Sequence, residues 1–215
     1  MPVSTQSESN LFFRCLPVGL LQANCYIVGD IKSNQVAIID PGGDAELIIN
    51  VVKKHRLQVQ YIFNSHGHID HIGANRAVKQ ATGAPILIHQ ADAEWLIHPF
   101  APPIGLEFIN IDSPPADEYL SDGDCYNLGA LDIKIIHTPG HSPGGVCFVL
   151  SDRILTGDTL FNGSIGRTDL PGGSEKEIFE SIENKIITLP DTYLVYPGHG
   201  PATTIGEEKQ SNPYL

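Results

Sequence analysis

The sequence predicts an α/β fold in which two β-sheets pack as a sandwich with helices outside. Short apolar runs end in glycine- and proline-rich turns, as strands do. Apolar residues recur at helical spacing in several segments between those runs. The alternation of strands and helices occurs twice along the chain, which favours two similar layers. The 21 glycines and 16 prolines among 215 residues likewise indicate many short elements joined by turns.

The first half of the chain contains both kinds of element. Strands are predicted over 12–18, 24–28, 35–40, 61–63 and 86–88. The third strand ends in Asp40-Pro41-Gly42-Gly43, a sequence typical of a turn. Asp44 is predicted to cap a helix that continues to about Arg56. Further helices are predicted over 72–82 and 92–97. Residues 98–117 contain five prolines and predict a surface loop, a candidate lid facing the substrate.

The second half of the chain also alternates predicted strands and helices. Strands are predicted over 125–128, 131–137, 145–150, 154–156 and 194–196, with a helix over 175–187. No linker composition interrupts the sequence. We therefore predict a single domain over residues 1–215, with residues 1–10 flexible.

Composition limits the classes of partner. The formal net charge of −12 argues against binding to nucleic acid or to an anionic membrane. The apolar stretch 11–21 is too short and interrupted to span a bilayer, and no basic segment precedes it as in a signal peptide. The four cysteines are scattered, which favours reduced thiols and a cytoplasmic location over a disulfide framework.

A dense histidine cluster follows the strand predicted over 61–63. It contains His66, His68, Asp70 and His71, and imidazole with carboxylate suits zinc, iron or manganese. Alternate residues after a strand point the same way, so His66 and His68 can face one ion. Asp70 and His71 lie further along and are expected to face a second ion.

Three downstream residues share one kind of position. His141, Asp158 and His199 each follow a predicted strand, and each has a glycine immediately before it. Strand ends gather at one edge of a sheet, and glycine lets the backbone approach an ion. His137 is interpreted as structural, with a supporting role at the metal site as the alternative. The remaining histidines, predicted not to be ligands, are His55, His89 and His98.

The pattern H-x-H-x-D-H followed by a distant His, Asp and His resembles the metallo-β-lactamase superfamily. This resemblance implies a four-layer αββα sandwich of two mixed β-sheets. It also implies two divalent metal ions, zinc being expected and iron or manganese the alternatives. By resemblance the ligands are His66, His68 and His141 for the first ion, Asp70, His71 and His199 for the second, and Asp158 as a bridge.

Two close cations would lower the pKa of a shared water, so the expected nucleophile is a hydroxide that bridges them. The cations would also stabilise the oxyanion that develops on a carbonyl substrate. Asp70 and Asp158 are the candidate catalytic residues, Asp70 by orienting the hydroxide. Loss of Asp158 is expected to be more harmful than loss of a terminal ligand.

The segment 161–174, with Gly198-His199-Gly200-Pro201 and Asn212-Pro213, resembles single-domain glyoxalase II-like hydrolases. The resemblance implies hydrolysis of a small-molecule thioester such as S-lactoylglutathione. It also implies that the C-terminal helical substrate domain of larger glyoxalase II enzymes is absent. The candidate substrate contacts are Arg167, Asn162 and Thr168, with an Arg167–Asp169 salt bridge as the alternative role of that arginine. Asp169 and Pro201 replace an aromatic residue and a tyrosine of those enzymes, which puts glutathione recognition in doubt.

Three other functions remain open. A persulfide dioxygenase of the same superfamily resembles this chain at Gly166-Arg167-Thr168-Asp169 and uses one iron, but the following Leu170-Pro171-Gly172-Gly173 favours the hydrolases. A nuclease is disfavoured by the acidic charge. A non-catalytic, metal-stabilised module is disfavoured because all seven ligand positions are filled. The oligomeric state is left open.

Overall fold

The computed structural model describes residues 10–99 and 113–215. The central part of the predicted lid and almost all of the N-terminal segment predicted to be flexible lie outside these ranges. Among the described residues no helix has the length and apolar character needed to cross a bilayer.

The first sheet has six strands in the order β1 to β6. Its strands are β1 (Leu11–Val18), β2 (Ala23–Asp30), β3 (Gln35–Ile39), β4 (Gln58–Phe63), β5 (Ile86–His89) and β6 (Glu118–Leu120). β1, β2 and β3 pair antiparallel, whereas β3 to β6 run parallel, so the sheet is mixed. The parallel strands are joined by α1 (Ala45–His55), then α2 (Ile69–Ile72) and α3 (Asn75–Thr82), and α4 (Glu94–Ile97) follows β5.

The second sheet is also mixed. Its strands are β7 (Cys125–Leu128), β8 (Leu131–His137), β9 (Val146–Leu150), β10 (Arg153–Gly157), β13 (Leu194–Pro197) and β14 (Thr203–Thr204). β10 and β13 pair parallel, and the remaining neighbours pair antiparallel. A small hairpin, β11 (Leu160–Phe161) and β12 (Ser164–Ile165), lies between β10 and α5 (Glu175–Ser181), and α6 (Ile205–Ser211) follows β14.

Three apolar layers hold the sheets and helices together. Along β2, Ile27 packs in the layer that also contains Ile48 of α1, whereas Tyr26 and Val28 pack with Phe148 of the second sheet. Successive strand residues point to opposite faces, so β2 must be buried on both sides. The third layer joins the second sheet to α5 and α6. The predicted αββα sandwich of two mixed sheets is thereby confirmed.

Three helix predictions differ from the structure in detail. The helix predicted over 72–82 is interrupted, because the Ala74 amide donates to Pro41 O at 2.8 Å and Gly73 lies against the Gly42 carbonyl. Asp44 is the N-cap residue of α1 as predicted, and its carbonyl accepts from the Leu47 amide at 2.9 Å. Its side chain does not cap the helix, because Asp44 adopts a left-handed conformation and its carboxylate accepts from the Gly19 amide at 2.8 Å. The helix predicted over 175–187 is present, but only Glu175–Ser181 is α-helical, and it continues as a π-helical turn at Ile182–Ile186.

Candidate metal centre

The candidate ligands lie just beyond the carboxyl ends of four strands. His66 and His68 follow β4, and His141 follows β8. Asp158 comes directly after β10, and His199 comes two residues after β13. Because these ends meet at one edge of the sandwich, residues as distant in sequence as Asp70 and His199, 129 positions apart, come within reach of one ion.

Three histidines form the first ligand group. One nitrogen from each of His66, His68 and His141 lies within 4.8 Å of the others. His68 Nδ1 and His141 Nε2 approach to 2.9 Å. All three side chains are buried. Two ring nitrogens this close need a proton or a cation between them, so this group suits a buried metal.

Asp70, His71 and His199 form the second ligand group, again with donor atoms within 4.8 Å. His199 Nε2 lies 3.1 Å from Asp70 Oδ2. The group is more open than the first, since the side chain of Asp70 is 18% exposed and that of His199 is 29% exposed.

Asp158 lies between the two groups. Its Oδ1 is 3.4 Å from His71 Nε2, and its Oδ2 is 3.6 Å from His141 Nε2 and 3.7 Å from His199 Nε2. One carboxylate therefore faces ligands of both groups, as a bridging ligand would. Since neighbouring strand ends carry these residues, the bridging position is a consequence of the sheet order β13-β10-β9-β8.

Hydrogen bonds fix which nitrogen each imidazole turns inward. The Ser65 hydroxyl donates its one proton to Asp40 Oδ2 at 2.7 Å, so His66 Nδ1, 3.0 Å away, must donate to that hydroxyl. His71 Nδ1 lies 3.0 Å from the same Asp40 oxygen. His141 Nδ1 donates to Arg167 O at 2.8 Å. All three rings thereby direct Nε2 toward the ligand groups, as in other metal sites with such outer hydrogen bonds.

The donor set passes a test for fit to a metal. His66 Nε2 and Asp158 Oδ1 are buried and make no hydrogen bond to any described residue. Leaving such atoms unpaired costs about 1–3 kcal/mol each, which a coordinated cation would recover. Nitrogen and carboxylate oxygen donors suit zinc, iron and manganese. The described residues therefore fit two divalent ions.

The protonation states of the two groups differ. Burial lowers the pKa of His66 well below its usual value, and neighbouring His71 lowers it further. Burial and His141 lower the pKa of His68 to about 3. Burial also lowers the pKa of His71, but the carboxylates of Asp158, Asp70 and Asp40 outweigh it and raise that pKa to about 10. His66 and His68 of the first group are thus neutral, whereas the second group contains an imidazolium among carboxylates.

Two glycines allow the strand ends to approach so closely. A Cβ at Gly198 would lie 2.2 Å from Asp158 Oδ1 and 2.9 Å from His71 Cε1. Gly157 has φ +47°, and a Cβ there would lie 2.6 Å from Ser65 Oγ. No larger residue fits at either position without displacing a ligand or its support.

Sequence reasoning missed the residues that support these ligands. Asp40 was interpreted only as part of a turn, yet it accepts from the Ser65 amide at 2.6 Å and contacts His71. The Asn24 side chain donates to Pro197 O and Gly200 O, both at 3.0 Å, on either side of His199. In the sequence, such supporting residues are recognisable only as a carboxylate or amide beside a strand end, a feature too common to identify them.

The predicted substrate contacts lie outside the ligand cluster. The Arg167 guanidinium makes a bidentate ion pair with Asp169, with N–O distances of 2.8 and 2.7 Å. Asn162 donates to Ala202 O at 3.2 Å. Arg167 and Thr168 line an open cavity of about 270 Å³, together with Phe179 and Tyr214.

The other histidines stay apart from the ligand groups in the described part of the chain. His137 stacks on His89 with ring centroids 4.0 Å apart, and its Nε2 lies 3.0 Å from Pro143 O. This arrangement supports the structural interpretation of His137. His55 contacts Phe12, and His98 pairs with Glu94 on the surface.

Comparison with curated proteins identifies relatives along nearly the whole chain. The probable metallo-hydrolase YqgX of Bacillus subtilis is 38% identical over 206 residues, which cover 94% of this chain and 97% of that protein. The hydroxyacylglutathione hydrolase GloC of Haemophilus influenzae is 38% identical, covering 93% and 96%.

Solved structures share the same fold. The BLEG-1 B3 metallo-beta-lactamase has a TM-score of 0.86 and 37% identity, covering 95% of this chain and 99% of that one. TTHA1623 in a di-iron-bound form has a TM-score of 0.80 and 32% identity, covering 94% and 100%. ETHE1 from Myxococcus xanthus has a TM-score of 0.73 and 30% identity, covering 94% and 83%. The profile of the family described as Metallo-beta-lactamase superfamily matches residues 18–199. With its fold and its ligand cluster, this chain belongs to the metallo-β-lactamase superfamily.

Proposed function

We propose that the protein is a dinuclear metal hydrolase that cleaves a thioester of the S-lactoylglutathione class. The observation that carries the proposal is the position of Asp158, whose carboxylate lies within 3.4–3.7 Å of ligand nitrogens from both groups. When bound, two divalent ions would acidify a shared water and polarise the substrate carbonyl. Zinc is the proposed metal. The di-iron form of TTHA1623 supports two ions in this geometry and makes iron the alternative to test.

The chain's own residues would organise the reaction around that site. Asp70 is partly exposed at the open side of the cluster, where its carboxylate can accept a hydrogen bond from the attacking water. His66 and His68 stay neutral because burial lowers their pKa values, so their ring nitrogens remain free to bind a metal ion instead of a proton. Arg167 can bind a substrate carboxylate if it exchanges its partner Asp169.

The thioester chemistry matches what the site provides. Attack forms a C–O bond, the C–S bond breaks, and its electron pair leaves on sulfur. A thiol has a pKa near 8.5, so the departing thiolate is stable enough without a dedicated general acid. The name of GloC, which is similar over 93% of this chain, supports this substrate class.

Two measurements on the same preparation test the proposal. We expect two equivalents of metal per chain and hydrolysis of S-lactoylglutathione, followed as loss of the thioester absorbance. The control is the His199→Ala variant, which should retain one metal and lose most of its activity. One iron per chain with oxygen uptake on glutathione persulfide would instead establish the dioxygenase, and metal binding without turnover of either substrate would indicate a non-catalytic module.

A further inference from the structure

Asp92 is a fully buried carboxylate that contacts two ligand loops at once. A 3-10 turn at Gln90–Asp92 follows β5 and directs it inward. Its Oδ2 accepts from the Gly67 amide at 3.1 Å, and its Oδ1 accepts from the Gly144 amide at 2.6 Å. Gly67 lies between His66 and His68, and Gly144 lies three residues after His141. Asp92 therefore joins the two loops that carry the first ligand group.

Both loops are shaped to reach this carboxylate. A Cβ at Gly144 would lie 2.6 Å from Asp92 Oδ1. A Cβ at Gly67 would lie 3.0 Å from the Asp92 carbonyl oxygen and 2.9 Å from Trp95 Cβ. The Trp95 ring also stacks on the His68 ring, with centroids 5.4 Å apart and an angle of 8°. The segment from β5 to α4 thus supports the first ligand group through both backbone and ring contacts.

Burying a carboxylate is costly, and here charge-assisted hydrogen bonds from backbone amides offset the cost. No ion pair of Asp92 occurs among the described residues. An apolar side chain in place of Asp92 would have no charge to desolvate, but it would leave the amides of Gly67 and Gly144 buried without hydrogen-bond acceptors. What the carboxylate provides is a fixed distance between the two loops.

The second ligand group has a different support. Besides its two side-chain bonds, Asn24 donates its backbone amide to Gly198 O at 2.7 Å. Asn24 thereby holds the turn that carries His199, on the side of the site formed by β2 and β13. Asp92 and Asn24 act on separate loops.

We propose that Asp92 is a positioning residue that sets the spacing of the His66–His68 loop and the His141 loop, and with it the affinity for the first metal ion only. This inference rests on the proposed metal centre but not on the proposed substrate. Metal affinities are measured without substrate, so failure of the thioesterase assay would leave the inference intact.

The test compares single-site backgrounds. In the His199→Ala background the first group remains complete, and in the His141→Ala background the second group remains. We expect Asp92→Asn to weaken zinc binding about 10- to 100-fold in the first background and to leave it unchanged in the second. Asn24→Ala should give the opposite pattern. Affinities come from competition with a chromophoric chelator, and the visible spectrum of cobalt in the first site should shift with Asp92→Asn.

Asp117→Asn is the matched control. Asp117 accepts from the Ile86 amide at 2.7 Å at the start of β5, the end opposite to Asp92, and pairs with Lys79; neither partner is a candidate metal ligand. It should lower the thermal stability of the metal-free protein without changing either affinity or the cobalt spectrum.

A second variant keeps the test decisive if Asp92→Asn does not fold. Gly144→Ala places a Cβ against Asp92 Oδ1 and should weaken the first site in the same way. Unchanged zinc affinity in the first background, or an equal loss in both backgrounds, would overturn the proposal.

Discussion

The two ligand groups differ in burial and in charge, although they share Asp158. The first consists of three buried histidines, two of which have lowered pKa values. The second combines the carboxylate of Asp70 with His71 and His199, whose pKa values are raised. A metal entering the first group finds His66 and His68 already deprotonated, whereas one entering the second must displace the proton of His71. The two sites are therefore expected to load separately and to respond differently to pH.

Removal of the shared ligand tests this comparison most severely. Asp158→Ala should remove most of the metal from both groups, because two close cations would lose the carboxylate that neutralises both. Turnover should fall by more than the roughly 100-fold that is typical when a residue hydrogen-bonded to a ligand is lost. Metal analysis beside the thioester assay measures both effects. His199→Ala is the comparison variant and should lose only the second ion. Full metal content in Asp158→Ala would rule out the bridging role.

Asp40 offers a milder test, since it supports one ligand in each group. Asp40→Asn weakens two contacts: the one to His71 Nδ1, and the hydrogen bond from the Ser65 hydroxyl, which in turn orients His66. We expect both metal affinities to fall by about tenfold to 100-fold, again measured by chelator competition. Loss at only one site would show that the two groups do not share this support.

The pH dependence of loading separates the two groups directly. Between pH 6 and 8 the affinity of the second site should rise by up to about tenfold per pH unit, because metal replaces the proton held by His71. The first site should change much less. Titrations of the His141→Ala and His199→Ala variants at pH 6, 7 and 8 report each site alone. Equal slopes would contradict the assigned protonation states.

A smaller effect is expected in the stability of the metal-free protein. The pKa of His71 is raised above its unfolded value of 6.5 to about 10. Its stabilising contribution is therefore complete below pH 6.5 and is lost as pH rises toward 10. The free energy of unfolding should fall by up to about 1.4 kcal/mol per pH unit from this group. Urea unfolding with chelator at pH 7 and 8 measures the slope, and His71→Asn should reduce it.

Much of the fold followed from local patterns. Apolar strands ended by turns, together with the helical spacing of segments such as 45–55, were sufficient to predict the sandwich. Strands that are buried on both faces, such as β3 and β5, consist of short, nearly continuous apolar runs that the sequence shows directly. The break between α2 and α3 was not predictable. It depends on the Ala74 amide bonding to Pro41, and the helical pattern of the sequence continues across it.

The sequence by itself determined the candidate ligand types and their positions after strand ends, because the type of side chain alone fixes which donor atoms it offers to a metal. Only the tertiary structure decided which residues hold those ligands. Asp92 and Gly144 are 52 positions apart, and Asn24 and Pro197 are 173 apart. A buried side chain that bonds to a backbone amide or carbonyl so distant in sequence leaves no local pattern, because the partner group is present in almost every residue. The division of the site into two separately supported halves therefore becomes visible only when the two sheets are packed together.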